Sequence, residues 1–75
     1  TARTVCYDIL REITRLAKLY KEMKEFRILA SQTVLDLLLE ADSQALDLLQ
    51  QAIERPILLE VESVYTQEQW DVIIA

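Results

Sequence analysis

Apolar or small residues fall at positions 2, 6, 9, 13, 16, 20 and 23: Ala2, Cys6, Ile9, Ile13, Leu16, Tyr20 and Met23. The steps alternate between four and three, the spacing of a heptad seam along one side of an α-helix. Leu10 and Ala17 widen the seam, and the opposite side carries Asp8, Arg11, Arg15, Lys18, Glu22 and Glu25. The pattern predicts a helix over 2–23. It fails at Arg27, so a turn is expected between Lys24 and Ser31. Ser31 and Ser43 are candidate N-caps, because a serine hydroxyl accepts from the free amides of a first helical turn.

The middle of the chain contains an echo. Val34-Leu35-Asp36-Leu37-Leu38-Leu39-Glu40-Ala41 recurs, eleven residues on, as Ala45-Leu46-Asp47-Leu48-Leu49-Gln50-Gln51-Ala52. Eleven residues make about three helical turns, so in one helix both copies face the same way. If Asp42-Ser43 breaks the helix, the copies become two short helices of similar design. Leu38 and Leu49 then occupy equivalent core positions. Residues 34–41 are apolar on nearly every side, as expected of a central helix or one sandwiched in an assembly.

Arg55-Pro56 punctuates the chain, since proline ends one helix and is accepted in the first turn of the next. Residues 57–65 fit either a helical face (Ile57, Val61, Val64, Tyr65) or a strand (Leu59, Val61, Ser63, Tyr65). Thr66-Gln67-Glu68-Gln69 has the form of a capping box, which predicts a short helix bearing Trp70, Ile73 and Ile74.

Two stretches resemble known families. Leu16 to Phe26 (LAKLYKEMKEF) is similar to the first helix and turn of a tetratricopeptide repeat, although Lys24 stands where that turn has glycine. Val61 to Asp71 (VESVYTQEQWD) resembles the opening strand and helix of thioredoxin-like domains. That resemblance implies the N-terminal extension of a redox protein, but the dithiol of thioredoxin chemistry is absent.

Composition sharpens the picture. The 75 residues include no Gly, no Asn and no His, so tight hairpins and glycine helix caps lose their usual chemistry and helices are favoured over hairpin sheets. The apolar share is 52%, more than so short a chain can bury alone, which leads to an expectation of a partner or a second copy. A start at Thr1 and an apolar end at Ile73-Ile74-Ala75 suggest excision from a longer polypeptide. No run is long enough to span a membrane and no secretory leader pattern is present, so a soluble, intracellular protein is expected. The single Cys6 rules out an intrachain disulfide, and its place on the seam marks a buried thiol.

Charge is divided unequally. Residues 1–27 carry seven bases and four acids (net +3), and residues 28–75 one base and nine acids (net −8). Such a division suits two segments that pack on each other or on a partner.

The residue inventory excludes most catalysis. Without histidine there is no histidine base, Ser-His-Asp relay or histidine metal ligand. Without glycine there is no P-loop or dinucleotide fingerprint. Asp36 and Glu40, one turn apart, are the nearest approach to a cation site, but hard cations want more oxygens, usually from a loop. Leu35-Asp36-Leu37-Leu38-Leu39 matches an LxxLL helix motif that core packing also produces. The basic stretch Lys18, Lys21, Lys24, Arg27, with Tyr20 and Phe26 beside it, has the types that bind nucleic acid. Acids interrupt it, Tyr20 sits on the buried seam, and the net charge is −5.

These observations lead to an all-α expectation: an antiparallel helical hairpin of a long basic and a long or broken acidic helix, followed by a short C-terminal helix. Residues 1–75 would form one small helical domain or fragment, with the hairpin in 1–55 and the C-terminal element in 56–75. The expected role is a non-enzymatic helical interaction or assembly module, without cofactor or metal. Leu35, Leu38, Leu39, Leu46 and Leu49, with Arg11, Arg15 and Lys18, would meet a protein partner or a second copy. The alternatives are the redox-protein extension and a nucleic-acid-associated regulator.

Overall fold

Helix α1 (Ala2–Leu19) opens the chain, and strand β1 (Phe26–Ala30) follows where only a turn was expected. Two short helices come next, α2 (Gln32–Leu39) and α3 (Ser43–Ile53), then strands β2 (Ile57–Val61) and β3 (Trp70–Ile74). The computed structural model describes residues 1–75. The sheet order is β2-β1-β3, with β1 parallel to β2 and antiparallel to β3. The fold is therefore mixed α/β, and the all-α hairpin is corrected. The expected short C-terminal helix is corrected as well, because residues 57–61 and 70–74 form the two strands that flank β1.

The strand at 26–30 has a physical reason. Phe26, Ile28 and Ala30 are fully buried, while Arg27 and Leu29 lie on the opposite face, the period-two pattern of a strand covered on one side. Phe26 sits between Ile57 and Ile74, Ile28 between Leu59 and Val72, and Ala30 between Val61 and Trp70. The small Ala30 thus has the bulky indole of Trp70 as its neighbour. The ladders extend past the strands: the Ala75 amide donates to the Glu25 carbonyl at 3.0 Å, and the Glu62 amide to that of Ala30 at 2.9 Å.

The helices lie on the Phe26–Ile28–Ala30 face. α1 packs on α2, α3 and β3, and α2 also packs on β2. Ala2, Cys6, Ile9, Ile13 and Leu16 of the heptad seam are buried, joined by Val5 and Ala17. The last two seam positions, Tyr20 and Met23, leave the helix because α1 ends at Leu19, and both are exposed.

The absence of glycine excludes tight hairpins, and none is needed. β1 reaches β2 through two helices, and β2 reaches β3 through residues 62–69 while pairing with β1. A parallel crossover and a wide connection do not require positive φ at adjacent turn residues. Within 62–69 the capping-box pair does form, the Thr66 amide donating to Gln69 Oε1 at 2.7 Å, but it closes a turn before β3 rather than starting a helix.

Ser31 caps α2, its Oγ accepting from the Val34 amide at 3.4 Å. Ser43 does not cap α3; its hydroxyl donates to the Glu40 carbonyl at 3.2 Å and Asp42 holds the cap position without a capping bond. The echo therefore falls on two helices. Leu35 and its counterpart Leu46 are both buried, Leu38 is fully buried, and Leu49 packs half-buried against the same core. Glu54 ends α3 at φ 56°, ψ 37°, the one left-handed residue of the chain.

The charge division does not organise the packing. One ion pair, Arg3–Asp42 at 3.5 Å, joins the basic and acidic segments, while Arg15 pairs with Glu12 and Arg27 with Glu25 inside the basic one.

Leu38→Ala is expected to cost about 2–5 kcal/mol in denaturant unfolding, the range for a fully buried leucine, and Leu49→Ala about half as much. Glu54→Gly should raise stability by up to about 1 kcal/mol, because glycine enters the left-handed region without a Cβ clash. Thermal unfolding of the variant reads this directly.

Candidate nucleic-acid interface

A candidate surface lies where α1 turns toward β1. Its geometry starts from Arg55. After the left-handed residue Glu54, the Arg55 side chain reaches back to the end of α1. Nη1 donates to the Tyr20 carbonyl at 2.6 Å, Nη2 to the Ala17 carbonyl at 3.0 Å and Nε to the Ile53 carbonyl at 3.2 Å. The guanidinium carbon also stands 5.1 Å from the centroid of the Phe26 ring. One planar cation thus satisfies carbonyls that a helix C-terminus leaves free, and rests on a core aromatic.

Tyr20 is the residue this clasp fixes. Its amide donates to the Leu16 carbonyl at 2.8 Å, and its carbonyl accepts from Arg55 and from the Met23 amide at 3.4 Å. The backbone is tied on both sides while the residue as a whole is 44% exposed. Lys18, Leu19, Tyr20, Lys21, Glu22 and Met23 line an open cleft of about 380 Å³. Lys18 and Lys21 also border a second cleft, of about 310 Å³, whose apolar wall is Leu49, Ala52 and Ile53 and whose floor includes Arg55. A third cleft, between the end of α3 and Pro56, is lined by Asp47, Gln50, Gln51 and Glu54 beside Arg55, and its carboxylates oppose anions.

The seam pattern placed Tyr20 in the core; the early end of α1 releases it. Phe26, its expected aromatic companion, is fully buried and unavailable. Arg27 lies on the open face of the sheet and donates to Glu25 at 2.8 Å. Lys18, Lys21 and Lys24 remain as exposed cations, the first two lining the same cleft as Tyr20. Sequence reasoning read Arg55 only as punctuation before Pro56. No local signal marks its role, because its partners are 35 and 38 positions away.

The residues expected to meet a protein partner do not form one surface. Leu35, Leu38 and Leu46 are spent in the chain's own core, Leu49 is half-buried there, and Leu39 stands apart at 57% exposure. Arg11, Arg15 and Lys18 are exposed, and Arg15 is engaged by Glu12 through two 2.8 Å bonds. Asp36 accepts from Gln32 at 2.8 Å, and no three potential ligand side chains gather as a metal site. Cys6 is buried with its Sγ 3.6 Å from the Val34 carbonyl, and burial pushes its thiol above the ordinary range. No helix is long and apolar enough to cross a membrane.

Comparison with known proteins bears on these readings. The chain is similar to a segment of ribonuclease G. Over 74 residues, 99% of its length, it is 36% identical to ribonuclease G of Salmonella typhimurium and 34% identical to that of Escherichia coli strain K12. Over 75 residues it is 35% identical to ribonuclease G of Haemophilus influenzae. The chain spans about 15% of the length of each of these relatives. No family model matches it. The helical interaction module is overturned by this end-to-end likeness to part of a ribonuclease, together with the burial of its leucines. The thioredoxin-like extension fails too, since residues 61–71 run from a strand end through a turn into a strand. The tetratricopeptide likeness ends where β1 replaces a second helix.

Arg55→Ala should destabilise the chain by about 1.5–3 kcal/mol, the range for charged hydrogen bonds. Arg55→Lys should recover little of it, because one ammonium cannot span two carbonyls and stack on Phe26. Chemical denaturation measures the loss, and faster amide exchange at Tyr20 would locate it.

Proposed function

We propose that this chain is a non-catalytic, RNA-associated part of a ribonuclease, meeting RNA at the lysine-bearing stretch 18–24 where α1 ends. The observation that carries the reading is the likeness, over nearly the whole chain, to a segment of proteins named for RNA cleavage. The geometry agrees with it. Lys18, at the end of α1, and Lys21 and Lys24, in the turn after it, set three exposed cations against the single carboxylate of Glu22 within residues 18–24 of a chain whose net charge is −5.

The residues argue for association rather than cleavage. RNA hydrolysis needs a group that activates the nucleophile and stabilises developing charge. This chain has no histidine, its one thiol is buried, and its carboxylates do not converge. Cutting would belong to other parts of a ribonuclease, with this part contributing phosphate contacts.

Fluorescence anisotropy with a labelled hairpin RNA carrying single-stranded tails tests the proposal. Three lysines neutralising phosphates give a slope of log affinity on log salt of about −2 to −3. Lys18→Glu/Lys21→Glu/Lys24→Glu should abolish binding, and the RNA should stay intact during incubation. A lack of binding at low salt, or unchanged binding by the triple variant, would sink the reading. Cleavage by the pure chain would sink its non-catalytic half.

A further inference from the structure

We infer that the end of α1 and the turn after it form a single-strand site: one unpaired RNA base stacks on the Tyr20 ring while Lys18 and Lys21 hold the flanking phosphates. This rests on the RNA-associated reading above and adds the form of RNA and the residue that grips it. Tyr20 offers what a stacking platform needs. The residue is 44% exposed, its hydroxyl makes no hydrogen bond, and its backbone is tied to Leu16, Met23 and Arg55. A ring on an anchored backbone loses little freedom when a base settles on it.

Met23 and Leu19 line the same open cleft as Tyr20 and supply apolar sides, Lys18 and Lys21 line both this cleft and the next, and Glu22 is the one carboxylate of the lining, outnumbered two to one by the lysines. Aromatic face, apolar sides and flanking cations are the parts used to bind single strands without reading sequence. Duplex RNA fits poorly. Its recognition by shape spreads contacts over about 16 base pairs. Here the cations fall within one seven-residue stretch, 18–24.

The test uses the whole 75-residue chain, a labelled eight-nucleotide oligouridine and a blunt 16-base-pair RNA duplex. The chain should bind the single strand at least tenfold tighter than the duplex at equal salt. Tyr20→Ala should weaken single-strand binding about tenfold, and Tyr20→Phe should restore it, since stacking needs the ring and not the hydroxyl. Lys18→Ala/Lys21→Ala should weaken binding and flatten its salt dependence. Circular dichroism and Trp70 fluorescence verify that each variant is folded. If Tyr20→Ala binds as well as the parent while the lysine variant does not, stacking is overturned and RNA association survives. A preference for the duplex overturns the single-strand site in the same way. If no RNA binds, both this inference and the function it rests on fall together.

Discussion

Strand β1 has hydrogen-bonded neighbours along both edges and helices over one face, and every other element is placed by that arrangement. A five-residue segment whose inward side chains are fully buried must have its amides and carbonyls satisfied by other strands. Those strands come from residues 57–61 and 70–74, so the fold is closed by pairings distant in sequence. The parallel partner imposes a crossover, and the twenty-six residues between Ala30 and Ile57 fill it with α2 and α3. The leucine-rich echo of these helices then has an internal purpose. Leu35, Leu38 and Leu46 cover the sheet and α1 and do not wait for an outside partner.

Arg55 connects this architecture to the candidate interface. It stands one residue before Pro56, whose carbonyl accepts from the Phe26 amide at 3.1 Å. The start of β2, the start of β1 and the end of α1 therefore meet around one guanidinium. A helix that ended freely would leave the α1–β1 turn to fray. Clasped in this way, the turn presents Tyr20 and its lysines from a fixed base, and a fixed base is what lets a half-exposed ring bind without a large ordering cost.

Charge acts at the level of the whole surface more than through pairs. The basic and acidic segments touch through a single ion pair, Arg3–Asp42, in which Asp42 is buried and its second oxygen has no hydrogen-bond partner. The other two ion pairs are local and exposed, a class that contributes about 0–1 kcal/mol each. What the uneven distribution leaves is a stretch, 18–24, with three lysines and one glutamate on a chain of net charge −5, the feature relevant to a polyanion. It also explains why likeness to a ribonuclease segment is compatible with a net charge of −5.

Local pattern alone determined the first helix, its buried side, the Ser31 cap, the likeness of α2 and α3, and the inert burial of Cys6. Each depends on residues within a few turns of one another, where spacing and side-chain chemistry act directly. The basic stretch with Tyr20 was also legible as a nucleic-acid candidate, though not Tyr20's exposure, which follows from α1 ending one position before it. Tertiary structure decided the rest. Phe26-Arg27-Ile28-Leu29-Ala30 is too short to announce a strand, and becomes one because distant segments pair with both of its edges. The missing glycines and asparagines excluded tight hairpins and were read as excluding a sheet; a crossover sheet needs no such turns. The Thr66–Gln69 pattern forms its predicted bond yet starts no helix, since pairing with β1 draws residues 70–74 into extended form. Arg55 showed nothing in the sequence because its task is to join backbone carbonyls that only the folded chain brings within reach.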